Sequence, residues 1–132
     1  MSAPLPDILL TRDNASVLAW LADKSAHDEV ASALLAAARS LGDVLTYCPD
    51  PKQFRYVLTA TRGIIFGVAT GMSTVSFRLD REMRERALQS GAEVAPEIGA
   101  DWVSFTLFRN DWPAHDLAFW ALKAYALARG NA

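Results

Sequence analysis

The sequence predicts an α+β domain: an antiparallel sheet of about four strands, helices packed mainly on one face, in the order α-α-β-β-β-α-β-α. Three observations predict it. Residues 54–59, 74–79 and 102–108 alternate side chains with period two, the pattern of a strand with one face in the core. The turn signals joining the first three strands are too short for parallel crossovers. Other segments repeat apolar residues at the three-to-four spacing of helices.

Residues 1–6, with Pro4 and Pro6, read as a short mobile leader. Residues 7–11 suit an edge strand or an extended arm. Asp13 or Asn14 offers a side-chain oxygen to cap a helix over 15–23, which would bury Val17, Leu18, Trp20 and Leu21. Ser25-Ala26-His27-Asp28 has the layout of a capping box, with aspartate in place of the usual glutamate. The helix after it carries Val30, Leu34, Leu35, Ala38 and Leu41, and Gly42 stops it. Residues 43–49 add a short strand before the polar loop 49–53.

In the first meander strand Phe54, Tyr56 and Leu58 face inward. Thr61-Arg62-Gly63 is a turn, with glycine free to take positive φ. Residues 64–69 are apolar on both faces, as a central strand covered on both sides would be. Thr70-Gly71-Met72 turns the chain into a strand that points Val75, Phe77 and Leu79 inward. Asp80 caps a helix over 81–90 with Met83, Ala87 and Leu88 as its inner stripe, and Gly91 ends it. Residues 92–100 read as a loop. In the last strand Val103, Phe105 and Leu107 form the buried row, which leaves Trp102 and Phe108 on the less covered face. Pro113 suits the first position of a helix over 114–129, whose stripe is Leu117, Trp120, Ala121, Ala124 and Leu127.

One domain is the expectation for 132 residues with 52% hydrophobic side chains. A net charge of −2 and a pI near 5.6 argue against nucleic acid as the main partner, which calls for a basic face. Arg81, Arg84 and Arg86 are interleaved with Glu82 and Glu85, the pattern of a solvated helix face. A single cysteine, Cys48, excludes an internal disulfide and fits a reducing cytoplasm. The N-terminus has no secretory pattern, and no apolar run approaches the ~20 residues that span a bilayer. A soluble cytoplasmic protein is expected.

Phosphate-loop, dinucleotide, zinc-protease, C-x-x-C and G-x-S-x-G motifs are absent. No cofactor is expected, and one cysteine with two histidines makes a Cys/His zinc site implausible. The candidate ligand residues are Arg55, Arg62 and Arg78 beside Tyr47 and Cys48, a set that could grip an anion bidentately. Cys48 gains a base only if the fold brings His27 or His115 to it. The candidate partner residues are Trp102, Phe108 and Trp112, since exposed aromatics mark binding surfaces. An edge strand at 7–11 or 102–108 offers self-pairing across a two-fold axis. The favoured function is therefore a non-catalytic interaction or self-association module, with a homodimer as one form. The alternative is a small-molecule or anion-binding domain, with or without enzymatic activity, built on the arginines.

From Thr74 to Ala128 the layout resembles the luciferase-like domain of unknown function and, more distantly, the MmcQ/YjbR type, both groups of small bacterial domains. The resemblance rests on Val75-Ser76-Phe77-Arg78-Leu79 before an arginine-rich helix and on Gly91 with Pro96 after it. Trp102-Val103-Ser104-Phe105 as a late strand and Ala124-Tyr125 in a final helix complete it. The histidines expected around the central glycines are absent where Gly67-Val68-Ala69-Thr70-Gly71 stands. The resemblance implies a compact α+β fold and no particular activity.

Overall fold

A run of branched and aromatic residues fits burial on both faces of a sheet, and Ile64–Thr70 forms the central strand β3. A computed structural model describes residues 5–49, 55–106 and 114–130, the side chains of 114–116 excepted. Strands β2 (Val57–Thr61) and β4 (Thr74–Arg78) pair antiparallel with β3. Strand β6 (Trp102–Thr106) pairs with β4. Strands β1 (Leu45–Tyr47) and β5 (Glu93–Val94) lie at the edges, giving the order β1-β2-β3-β4-β6-β5.

The molecule is α+β with an antiparallel sheet, but among the described residues the sheet has six strands rather than about four. β5 falls in the stretch expected to be a loop. Two residues are too few to show a period, and only the pairing of Glu93 with Ser104 and Val94 with Val103 makes them a strand. Residues 7–11 are not an edge strand: Asp7–Leu9 forms a 3₁₀ turn. Phe54, Leu107 and Phe108 lie outside the described residues.

Two core clusters occupy the two faces of the sheet. The first takes Phe66, Ala69, Val75, Phe77, Val103 and Phe105 from the strands. Val30 and Leu34 of helix α2 (Asp28–Ala38), Ala87 of helix α3 (Arg81–Gln89), and Trp120, Ala121 and Ala124 of helix α4 (Ala114–Ala128) close over them. The second takes Leu58, Ala60, Ile65, Val68 and Trp102. Leu9, with Val17 and Leu21 of helix α1 (Ala15–Leu21), covers that side together with Ala95 and Ile98. Every residue of β2 is consequently buried, and its alternation does not mark a half-exposed strand.

A register skip in β3 decides how the first cluster is filled. Thr59 pairs with Gly67 and Ala60 with Ile65, so Phe66 is the extra residue of a β-bulge. Phe66 belongs to the first cluster, and a side chain on Gly67 would project toward Phe77 of the same cluster. At the β2–β3 turn Arg62 (φ 52°) and Gly63 (φ 79°) both take positive φ, as two-residue hairpin turns of type I′ require.

Helix ends follow local chemistry in one case and tertiary contacts in two. Asp80 caps α3 as expected, its Oδ1 accepting the Met83 N–H at 2.8 Å. Asp80→Ala is expected to lower stability by about 1 kcal/mol, read as a lower urea midpoint at constant m-value. Ser25 does not cap α2, because Ser25 and Ala26 are taken up in bridges to Arg55 and Gly71. His27 caps it instead, Nδ1 accepting the Glu29 N–H at 3.2 Å, and α2 ends at Ala38 rather than near Leu41. Asn14 precedes α1 without capping it, since its side chain is used elsewhere. No helix among the described residues is long and apolar enough to cross a membrane.

Candidate functional site

One end of the sheet gathers the start of α2, the chain leaving β1, the approach to β2 and the β3–β4 turn. Residues 25–27 thread between the last two. Gly71 N–H donates to Ser25 O at 2.6 Å, and His27 N–H donates to Gly71 O at 2.8 Å. Gly71 can meet this crossing segment because its φ of 66° is open to glycine.

Two cavities adjoin there, sharing Ala26. One, of about 360 Å³, is lined by Ser25, Ala26, His27, Gly71 and Met72. The other, of about 290 Å³, runs along α2, with Ala31 and Leu35 on the helix side, Val57 on the strand, and Asp28, Ser32, Cys48 and Arg55 as polar groups. Small-molecule sites have this composition: mostly apolar walls with a few polar groups that fix orientation.

Three of the five predicted ligand residues come together. The Cys48 thiol donates to the Arg55 carbonyl at 3.6 Å, and Arg55 Nη2 donates to Ala22 O at 3.2 Å. The Tyr47 ring lies 6.3 Å from Tyr56. Burial raises the Tyr47 phenol pKa, the neighbouring Cys48 raises it further, and the Arg55 guanidinium opposes both. Burial likewise raises Tyr56. A phenol whose pKa is raised by folding stabilises the fold below its unfolded value near 10 and loses that contribution as pH rises past it. Unfolding should therefore begin to ease above about pH 10, as an alkaline denaturation scan would register.

Arg62 and Arg78 are elsewhere, so the three arginines do not share one pocket. Arg55 and Arg62 flank β2 at its opposite ends, on the order of 20 Å apart at strand spacing. Arg62 Nη1 donates to the Arg129 carbonyl at 3.2 Å. Arg78 Nε lies 3.8 Å from Asp101, whose carboxylate also takes Arg84 Nη1 at 3.0 Å. These contacts pin the start of α3 to the start of β6. Period-two reasoning assigns a side chain to a face, but says nothing of which end of the sheet it reaches.

Trp102 also departs from expectation. It does face away from Val103 and Phe105, yet it is only 5% exposed, inside the second cluster. The α1 segment and the 95–98 turn cover the face that was expected to be the less buried one. Trp102 is thus not a partner surface. Phe108 and Trp112 lie outside the described residues, as does the side chain of His115. His27 and Cys48 line neighbouring cavities rather than the same one. Among the described residues no cluster of three or more His, Cys, Asp or Glu side chains is placed to hold a metal ion.

Comparison with protein-family models, curated proteins and solved structures returns no match. The site therefore rests on its own chemistry. Of the residues expected to hold a ligand, Cys48 and Arg55 line the cavity along α2, whereas Tyr47 packs against the second cluster; Asp28, Ser32 and Met72 line the walls without having been expected there. The start of a helix after Ser25 was legible; its placement against β2 was not.

Proposed function

We propose that the protein is a non-catalytic self-association module, acting in the reducing cytoplasm, that dimerises through the outer edge of β1. The observation that carries this reading is the character of that edge. Among the described residues β1 is the outermost strand on its side of the sheet, and Leu45 and Thr46 are exposed. Leu45-Thr46-Tyr47 contains none of the lysines, prolines or bulges with which edge strands are usually protected. Ile8, 58% exposed, lines the same cavity as Leu45, and Leu10 nearby in sequence is 60% exposed. Two copies pairing antiparallel about Thr46 set Leu45 of each opposite Tyr47 of the other, an aliphatic–aromatic cross-strand pair. Ile8 then adds apolar area beside the new ladder.

The test is molar mass by light scattering across the micromolar range, for the wild type and for Leu45→Lys. The expected result is a dimer that Leu45→Lys converts to a monomer with unchanged circular dichroism. A wild type that stays monomeric throughout, or a dimer indifferent to Leu45→Lys, overturns the proposal.

A further inference from the structure

We infer that the paired cavities between α2 and β2 form a binding site for a small zwitterion, namely an α-amino acid with an apolar side chain. The inference is independent of the dimer edge, since β1 reaches these cavities only through Cys48, beyond its last paired residue. It starts from charge. The cavity along α2 presents one cation, Arg55, and one anion, Asp28. Among the described residues the two are joined by no ion pair, and Arg55 commits Nη2 to a backbone carbonyl, which leaves other donors of its planar fork for a carboxylate. A lone anionic ligand would satisfy Arg55 but face Asp28. An amine would do the reverse. A molecule carrying both charges close together satisfies both.

The rest of the wall is apolar. Ala26, Ala31, Leu35 and Val57 offer no hydrogen-bonding side chain, and Met72 extends this character into the adjoining cavity. Met72 is 71% exposed, an unbranched and adaptable side chain at the mouth of a concavity. Volume limits the ligand further. At about 290 and 360 Å³ the cavities lie at the small end of ligand sites, which suits a single amino acid rather than a nucleotide or a long chain. The carboxylate pairs with Arg55, the ammonium with Asp28, and Ser32 is at hand for a further hydrogen bond. The aliphatic side chain lies along Ala31 and Leu35.

The experiment is isothermal titration of the full chain with leucine and methionine, then with two analogues that each lack one charge: isocaproate, without the ammonium, and isopentylamine, without the carboxylate. The expected result is saturable binding of at least one amino acid, with both analogues weaker by about tenfold or more. Asp28→Asn is expected to weaken leucine while leaving isocaproate unchanged or tighter, since the carboxylate that faces the anion is gone, and Arg55→Lys to weaken leucine while leaving isopentylamine unchanged. Asp28 is exposed, so its variant tests the site even if substitution of Arg55 disturbs the fold through the Ala22 contact. No saturation by leucine or methionine at millimolar concentration overturns the inference. So does isocaproate binding as tightly as leucine, or an Asp28→Asn protein that still discriminates between them.

Discussion

Asn14→Ala is expected to destabilise the fold by about 3 kcal/mol, more than its small change in volume suggests. Asn14 is 1% exposed, and its amide is fully used. Nδ2 donates to Leu9 O and Gly63 O at 2.8 Å each, and Oδ1 accepts the Ile65 N–H at 3.0 Å. One side chain thus ties the 3₁₀ segment to the β2–β3 turn and to the first residues of β3. Removing it strands buried backbone groups in three places, and the desolvation cost of each is no longer offset. Asn14→Asp separates hydrogen bonding from packing. It keeps the acceptor for Ile65 but sets a carboxylate against two carbonyl oxygens. This variant should be markedly less stable at neutral pH and recover part of the loss on acidification, as the protonated acid can donate one bond. Urea unfolding at two pH values reads both effects. An Asn14→Ala protein within about 0.5 kcal/mol of wild type would show that the amide does not hold the segment.

Gly67→Ala is expected to cost about 1–3 kcal/mol, although φ at this position is not one reserved for glycine. The new Cβ would lie 2.8 Å from Thr59 Oγ1 and 3.1 Å from Phe77 Cε1. Neither neighbour yields readily. Thr59 is fully buried and donates its hydroxyl to Gly67 O at 3.2 Å, while Phe77 is fully buried and packs 6.1 Å from Phe105. Gly67 and Phe77 are also register partners, so the ring lies over the bare backbone of the glycine. The strain should be coupled. Phe77→Leu alone leaves a void and lowers stability, but combined with Gly67→Ala the two losses should sum to less than their separate values. Strictly additive losses in a double-mutant cycle would mean that the ring does not oppose the methyl group.

These two positions show where sequence reading succeeds and where it stops. Gly67 was legible as a glycine within an apolar strand, but the side chains of Thr59 and Phe77 that crowd it were not. The bulge at Phe66 was not, because an extra residue is defined by the partner strand. Asn14 was legible as a helix-capping residue, and that local role is the one it does not play. Its three partners lie 5, 49 and 51 residues away, beyond any capping pattern.

By itself the sequence determined the strands that carry a period, the Asp80 cap of α3, and, of the expected α4 stripe, the buried Leu117, Trp120, Ala121 and Ala124, Leu127 being only partly buried. It also marked residues 64–69 as covered on both sides. Those features are encoded within one or two turns of chain, where backbone sterics and side-chain spacing act directly. Tertiary structure alone decided the rest: that β5 extends the sheet, that α1 folds over the second face and buries Trp102, and that Arg55 stands apart from Arg62 and Arg78. It also brought Asp28 and Arg55 to the lining of one cavity, a meeting of residues from two segments that no local pattern records. Burial and charge pairing depend on what arrives from elsewhere in the chain, and that is settled only when the two faces of the sheet close.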